Sequence, residues 1–434
     1  MLFDPNAHER LTEESWEPGR VYAALREIVE DAEGAFDNGW PTHPQDSEQD
    51  SDEERRFRTV YMGGAGVVQA LDSLQRRGLL ELRGDYAPYL EQRYEPDFPD
   101  ADHERSLWMG ETGIRLTLQR LSPSRENADR LHELIGANTQ DERREVMWGS
   151  PGTMLAAAAM HDLTGEARWL DLWQESAAWL RGEWDPQTGL WTQKLYGRVD
   201  QIIGPAHGFA GCVLALSRDA DDEVHRRAAE VTRRYAVEED GLANWPPTST
   251  ESLRRDRDGR IRLQWCHGAP GVVASLAGVA RDDGEHERLL LAGGELTWRA
   301  GPLAKGANLC HGTAGNGYAF LALFERTRDE LWLERARAFA MHAVAQVAHA
   351  RAELGRGRYT LWTGDAGNSA LPRRLLGRRR HPSPALSLRV DPHTGPPKSR
   401  ALPGGRRIYR NLDSISAKNA LASLPVTMRS LWTQ

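Results

Sequence analysis

At 434 residues, with 40% hydrophobic and 27% charged residues, the chain has the composition of a globular, enzyme-sized protein of one large domain or two to three ordinary ones. A net charge of −8 and a pI near 6.0 leave no basic footprint for nucleic acid. Three cysteines cannot build a disulfide framework, so a cytoplasmic, reducing location is expected; no apolar run of about 18 residues predicts a membrane span, and Met1 to Pro5 lacks the basic and apolar regions of a signal peptide.

From Pro18 to about Ala35 the pattern predicts an amphipathic helix. Val21, Leu25, Ile28 and Val29 share one face, and Pro18 is tolerable in the first turn. Asp37 to Arg55 is rich in Pro, Ser, Asp and Glu, and its Asp46–Glu54 core reads as a solvated acidic loop. Residues 1–57 are therefore expected to be a helix and a loop joining the body that follows.

That body, residues 58–370, repeats itself. A Gly-x-x-Gly element occurs seven times: Gly63/Gly66, Gly110/Gly113, Gly149/Gly152, Gly208/Gly211, Gly268/Gly271, Gly312/Gly315 and Gly364/Gly367. The copies lie roughly 40 to 60 residues apart, the period of helix-hairpin and blade repeats. An apolar helical run follows six of them, such as Val67 to Leu71 and Tyr318 to Leu321, and a second helical segment separates the copies, such as Arg168 to Arg181 and Leu331 to Ala350. A single helix pair cannot bury its own apolar face, so the pairs must stack. Seven pairs without a capping sequence predict an all-α fold, a closed α/α toroid whose inner helices line a hub. All the glycine turns then lie at one end of the hub.

Two of the three cysteines fall in a repeated Cys-His-Gly, at Cys266-His267-Gly268 and Cys310-His311-Gly312. Two thiolates and an imidazole suit tetrahedral zinc, and three protein ligands leave the fourth position open, the catalytic pattern. The toroid places Cys266, Cys310 and His311 on adjacent turns. The competing reading makes each Cys a small buried hydrophobe; that reading is favoured for Cys212. Short hairpin pieces are expected over Gln193 to Ile203 and over Arg260 to Gln264, the latter with Asp256 to Gly259 as a turn. The seventh repeat starts normally at Tyr359 to Gly367, but no apolar helix follows it. The Pro/Arg-rich stretch 371–434 reads as largely irregular.

The motifs Ala-His-Gly-x-x-Gly (Ala206 to Gly211), Trp-Cys-His-Gly-Ala-Pro-Gly (Trp265 to Gly271) and Cys-His-Gly-x-Ala-Gly-Asn (Cys310 to Asn316) resemble those of the lanthionine synthetase C-like family, over about Arg58 to Gly367. The resemblance implies a toroid of seven inner and seven outer helices, the seventh repeat here being open to question. It also implies one Zn2+ on Cys266, Cys310 and His311, and addition of a thiol to dehydroalanine or dehydrobutyrine to form a thioether. The thiol is a peptide cysteine in the cyclases and glutathione in the stand-alone branch, which Trp265 to Gly268 resembles more. Expected partners are therefore glutathione, or a peptide or protein containing dehydroamino acids. Arg262 looks like an active-site Arg of the cyclases, Glu145 sits at an active-site acidic position, and Lys305 looks like a lysine placed near glutathione. Trp265 and His267 join Lys305 as the expected substrate-binding set.

In chemical terms His207 is the candidate general acid, because imidazole titrates near neutral pH. Arg262 is placed to stabilise a developing enolate oxygen, and Glu145 to orient His207 or a substrate amine. Each has a plainer alternative: His207 as a cap or core histidine, Arg262 as a surface charge, and Glu145 as part of a solvated run. His267 reads as packing or as a hydrogen-bond donor beside the metal. At the level of the whole protein, the alternative to an enzyme is a non-catalytic zinc scaffold that binds a thiol or a partner. A glycosidase on the same fold would need paired carboxylates, which the turns offer only at Glu111 and Asp365.

Overall fold

The computed structural model describes residues 1–46, 55–98, 103–368, 371 and 375–376. In chain order its helices are α1 (Pro18–Gly34), α2 (Gly64–Arg76), α3 (Ala87–Glu91), α4 (Glu111–Leu121), α5 (Arg125–Gly136), α6 (Ser150–Thr164), α7 (Ala167–Gly182), α8 (Phe209–Leu216), α9 (Asp222–Tyr235), α10 (Ala269–Leu276), α11 (Gly284–Ala300), α12 (Thr313–Thr327), α13 (Glu330–Leu354) and α14 (Asp365–Asn368). Even-numbered helices from α2 onward form the inner ring, and each begins directly after the first glycine of a Gly-x-x-Gly pair. The outer layer is α1, α5, α7, α9, α11 and α13. The fold is an α/α toroid.

Composition separates the two layers. Every residue of α8 and α10 is buried, so these helices have no solvent face. The outer helices are amphipathic, and α5, α9, α11 and α13 begin with ordinary side-chain caps: Ser124, Asp221, Asp283 and Asp329 each accept from an amide of the first turn. The inner helices lack such caps. In α2, α4, α8, α12 and α14 the first amide donates to a carbonyl of the preceding loop instead. In α12 the N–H groups of Thr313, Ala314 and Gly315 donate to the carbonyls of Gly306, Ala307 and Asn308. The loop therefore runs tightly along the helix start.

That tightness explains the second glycine of each pair. A Cβ on any of the seven would overlap the carbonyl oxygen six residues earlier. It would also meet the preceding repeat. A Cβ on Gly113 would stand 2.6 Å from Val60 Cγ2, one on Gly315 would stand 3.1 Å from Trp265 Cβ, and one on Gly367 would stand 3.0 Å from Leu309 Cγ. The series closes on itself, because a Cβ on Gly66 would stand 2.9 Å from Leu361 Cβ in the seventh repeat. Helix α14 accordingly packs on α2.

The seventh repeat thus fills its slot over the described residues. Leu371 is buried and lies over Gly317 of α12. Leu375 and Leu376 pack against the core, and 371 and 375–376 are helical rather than irregular; the remainder of the stretch 371–434 lies outside the described residues, as does 47–54 of the acidic loop. The N-terminal residues join the toroid: α1 packs on α13, and Glu9 accepts from His342 Nε2 at 2.6 Å.

The hairpin expected over Gln193 to Ile203 is present as β1 (Gln193–Leu195) and β2 (Arg198–Asp200), with Leu195 opposite Arg198. The one expected at Arg260 to Gln264 is not a strand; only an isolated bridge links Gln264 to His267. A second hairpin, β3 (Val237–Glu239) and β4 (Leu242–Asn244), forms instead around Asp240-Gly241, both at positive φ. Asp-Gly between short apolar-alternating runs is the usual type I′ signal.

If the glycine contacts set the ring, Gly315→Ala should lower stability by about 2 kcal/mol or more, the cost of forcing atoms into a filled site. Gly182→Ala, where nothing lies within 4 Å, should change it little. Urea denaturation midpoints of the two variants test this.

Candidate functional site

The repeat fixes a register across the seven turns. Five positions before each second glycine stand Tyr61, Trp108, Met147, Ala206, Cys266, Cys310 and Trp362. One position later stand Met62, Met109, Trp148, His207, His267, His311 and Thr363. Backbone bonds stitch neighbouring turns at the first of these positions: Tyr61 N–H to Trp108 O at 2.9 Å, Cys266 N–H to Cys310 O at 3.0 Å, and Cys310 N–H to Trp362 O at 2.9 Å. Cys266 and Cys310 are therefore side by side at the hub, and His207, His267 and His311 occupy equivalent places on their own turns.

The two thiols are buried and hydrogen-bonded to each other. Tyr61 Oη donates to Cys310 Sγ at 3.1 Å, and Gln264 Nε2 donates to Cys266 Sγ at 2.9 Å. Cys266 is held below the ordinary thiol range, first because Cys310 donates to it, against the effect of burial, and then by Gln264, His207 and Arg262. Cys310, the donor of the pair, is pushed up by that same bond and by burial. Beneath them Trp108, Trp265 and Trp362 form an aromatic floor, with ring centres 4.3 Å apart for Trp108–Trp362 and 5.0 Å apart for Trp265–Trp362.

On one side of the sulfurs stands His207, whose Nδ1 lies 2.9 Å from Glu145 Oε2. Glu145 is 0% exposed, and its two oxygens also accept from the amides of Met147, Trp148 and Gly149. A carboxylate that bonds its own turn cannot wander, so it fixes the imidazole. With Nδ1–H given to Glu145, Nε2 is the histidine's free atom. Arg262 is exposed, and its charge reaches both Cys266 and His267. Its carbonyl accepts from Asn244 Nδ2 at 3.2 Å, and Asn244 Oδ1 accepts from Ala269 N–H at 2.7 Å. This anchors the turn at Gly268, whose φ of +112° favours glycine.

His267 is pushed down to about 3 by burial and then by the charges of His207 and Arg262. Its Nδ1 has no hydrogen-bond partner among the described residues. His311 lies toward the other side. Burial, then Lys305 and Arg358, lower it to about 4, so its imidazole is neutral. A polar cleft of about 220 Å³ opens there, lined by Lys305, Asn308, Arg358 and Asp365 among others.

The structure thus brings Cys266, Cys310, His207, Glu145 and Arg262 to one mouth. Among the described residues, no three His, Cys, Asp or Glu side chains converge as a ready metal-holding group. His311 directly follows Cys310, and its backbone N–H donates to Asn308 Oδ1 at 2.9 Å. Trp265 is 1% exposed and belongs to the floor. Cys212 is buried, with its Sγ donating to Arg144 O at 3.0 Å. The sequence reading missed Tyr61, Gln264 and Tyr196. The first two were available from the register, since they sit on turns equivalent or adjacent to those of the cysteines.

Because Glu145 satisfies three amides as well as His207, Glu145→Ala should destabilise by roughly 2–4 kcal/mol, the range expected when buried donors lose their acceptor. A glutamate on a solvated face would cost within about 0.5 kcal/mol. Chemical denaturation of the purified variant distinguishes the two.

Residues 194–367 match the family model described as lanthionine synthetase C-like protein. Over 147 residues the chain is 33% identical to glutathione S-transferase LANCL1 of Danio rerio, covering 32% of this chain and 35% of that protein. Over 171 residues it is 30% identical to LanC-like protein GCL1 of Arabidopsis thaliana, covering 38% of each. The matches span little more than a third of those relatives' lengths. Among solved structures, nisin cyclase superposes with a TM-score of 0.55 at 15% identity, over 82% of this chain and 94% of that one. The matched segment, residues 194–367, is therefore similar to lanthionine synthetase C-like proteins and contains every expected site residue except Glu145, and the chain has the toroidal fold that nisin cyclase also has.

Proposed function

We propose that the protein adds a thiol to dehydroalanine or dehydrobutyrine in a peptide or protein, forming a thioether, and that glutathione is the thiol. The observation that carries this reading is the pair of touching thiols, Cys266 and Cys310, facing the Glu145-bound His207 across one hub mouth. The relative named a glutathione S-transferase supports the choice of thiol.

The donor set fits a thiophilic ion. Two neighbouring thiols, with Tyr61 and Gln264 donating to their sulfurs, offer the soft sulfur donors that zinc prefers. Cys266 and Cys310 would hold the zinc, with His311 as the third ligand. When bound there, zinc supplies a site that deprotonates an incoming thiol at neutral pH.

The chain's own residues account for the rest. Addition forms a bond between the thiol sulfur and Cβ of the dehydroamino acid. The Cα–Cβ π pair moves to Cα and onto the amide carbonyl oxygen, and Arg262 is the cation placed to offset that charge. His207 Nε2 delivers a proton to Cα, while Glu145 holds Nδ1 and stabilises the imidazolium. One proton leaves the thiol and one arrives at Cα, so the reaction is balanced without a further reactant. The tryptophan floor and the buried turns keep bulk water from the sulfurs.

Purified protein should contain about one zinc per chain, and Cys310→Ala should lose most of it. With zinc present, glutathione and a dehydroalanine peptide should give a thioether adduct detectable by mass spectrometry. His207→Ala should keep the metal but slow adduct formation by about 10²- to 10⁴-fold, the usual share of a general acid. Zinc bound without any adduct above background would refute the activity. An unimpaired His207→Ala would refute the role of the histidine.

A further inference from the structure

The hairpin β1–β2 carries a residue that its turn does not favour. Leu195 pairs with Arg198, so the loop is two residues, Tyr196-Gly197, and both lie at positive φ, +53° and +71°. This is the type I′ geometry, whose first position prefers Asn, Asp or Gly. A tyrosine there strains the backbone, because its Cβ crowds the following carbonyl oxygen. The ring does not recover that by burial, because Tyr196 is 70% exposed.

The ring nevertheless has a fixed place. It meets Trp148 edge-on at 4.9 Å and His207 edge-on at 5.9 Å between ring centres. Trp148 and His207 hold equivalent register positions on neighbouring turns. The hairpin is also tied to the turn that carries Glu145. Arg144 donates to Thr192 O at 3.0 Å, Gln193 Nε2 donates to Arg144 O at 3.1 Å, and Lys194 pairs with Glu142. Val199, on the following strand, is 69% exposed, so the hairpin presents a second apolar side chain outside the mouth.

The geometry points to Tyr196 as a substrate-positioning residue that, with Trp148, holds the polypeptide flanking a dehydroamino acid across the mouth beside His207. This rests on the function proposed above. A small free acceptor would use only the mouth; a polypeptide extends past it and meets Tyr196 and Val199. The strained turn is retained because it aims the ring.

The test separates ring from turn. Tyr196→Asn suits the turn better but lacks the ring, and Tyr196→Phe keeps the ring. For a dehydroalanine peptide of about ten residues with glutathione, Tyr196→Asn should raise KM about three- to tenfold, the worth of one aromatic contact, with kcat unchanged. Tyr196→Phe should stay within about twofold of the parent. KM for N-acetyl-dehydroalanine methyl ester should not respond to either change. Fluorescence anisotropy of the labelled peptide, without glutathione, should show the same weakening for Tyr196→Asn. Equal peptide binding and equal KM in Tyr196→Asn and the parent protein, or no peptide binding by the parent, would overturn the inference. Peptide binding that weakens in Tyr196→Asn, with no adduct formed by any variant, would uphold Tyr196 and sink the proposed reaction instead.

Discussion

The toroid depends on a close approach repeated at seven places. The Cα of the second glycine in each pair rests against a carbonyl six residues earlier and against a side chain of the preceding repeat. No other residue fits, because a Cβ would occupy the space of the carbonyl oxygen. The approach also sets register. Once the helix start and the loop before it are locked together, the residues five and four positions ahead of the glycine must face the hub mouth. The contact between Leu361 and Gly66 carries this register around to its beginning. A ring closed by packing in this way needs no terminal cap, unlike an open array of helix pairs.

The chemistry sits where that register places it. Cys266 and Cys310 touch because they occupy the same position on successive turns, joined by the bond from Cys266 N–H to Cys310 O. His207 stands on the preceding turn, and Glu145 on the turn before that, so the acid–base pair spans two repeats. The charges are arranged around this core: Arg262 reaches Cys266 and His267, while Lys305 reaches Cys310 and His311. The mouth thus has an acid–base side and a cationic side, with the sulfurs between them. Tyr196 stands beside His207 on the acid–base side.

Much of this was legible in the sequence, because glycine pairs and cysteines are rare, position-specific signals. The seven pairs gave the ring, and the two Cys-His-Gly copies gave the sulfur pair. Glu145 was ambiguous, since Glu142 to Glu145 reads as a charged surface run; only the fold reveals that its carboxylate turns inward to cap its own turn. The strand expected at Arg260 to Gln264 failed for a related reason. Those residues are the approach to an inner helix, and their hydrogen bonds go to the turn rather than to a partner strand. The Asp240-Gly241 hairpin carried a recognisable signal that was overlooked. Tyr196 was not legible at all, because a tyrosine in a left-handed turn looks unremarkable until its neighbours are known.

The central claim is that the two sulfurs and one imidazole share a zinc ion at the hub mouth. Zinc K-edge X-ray absorption on the purified protein tests it most directly. The account predicts a shell of two sulfurs at about 2.3 Å and one or two light atoms at about 2.0–2.2 Å, at least one of them an imidazole nitrogen. A shell of nitrogen and oxygen alone, or a protein that retains no zinc when prepared with it, would contradict the account.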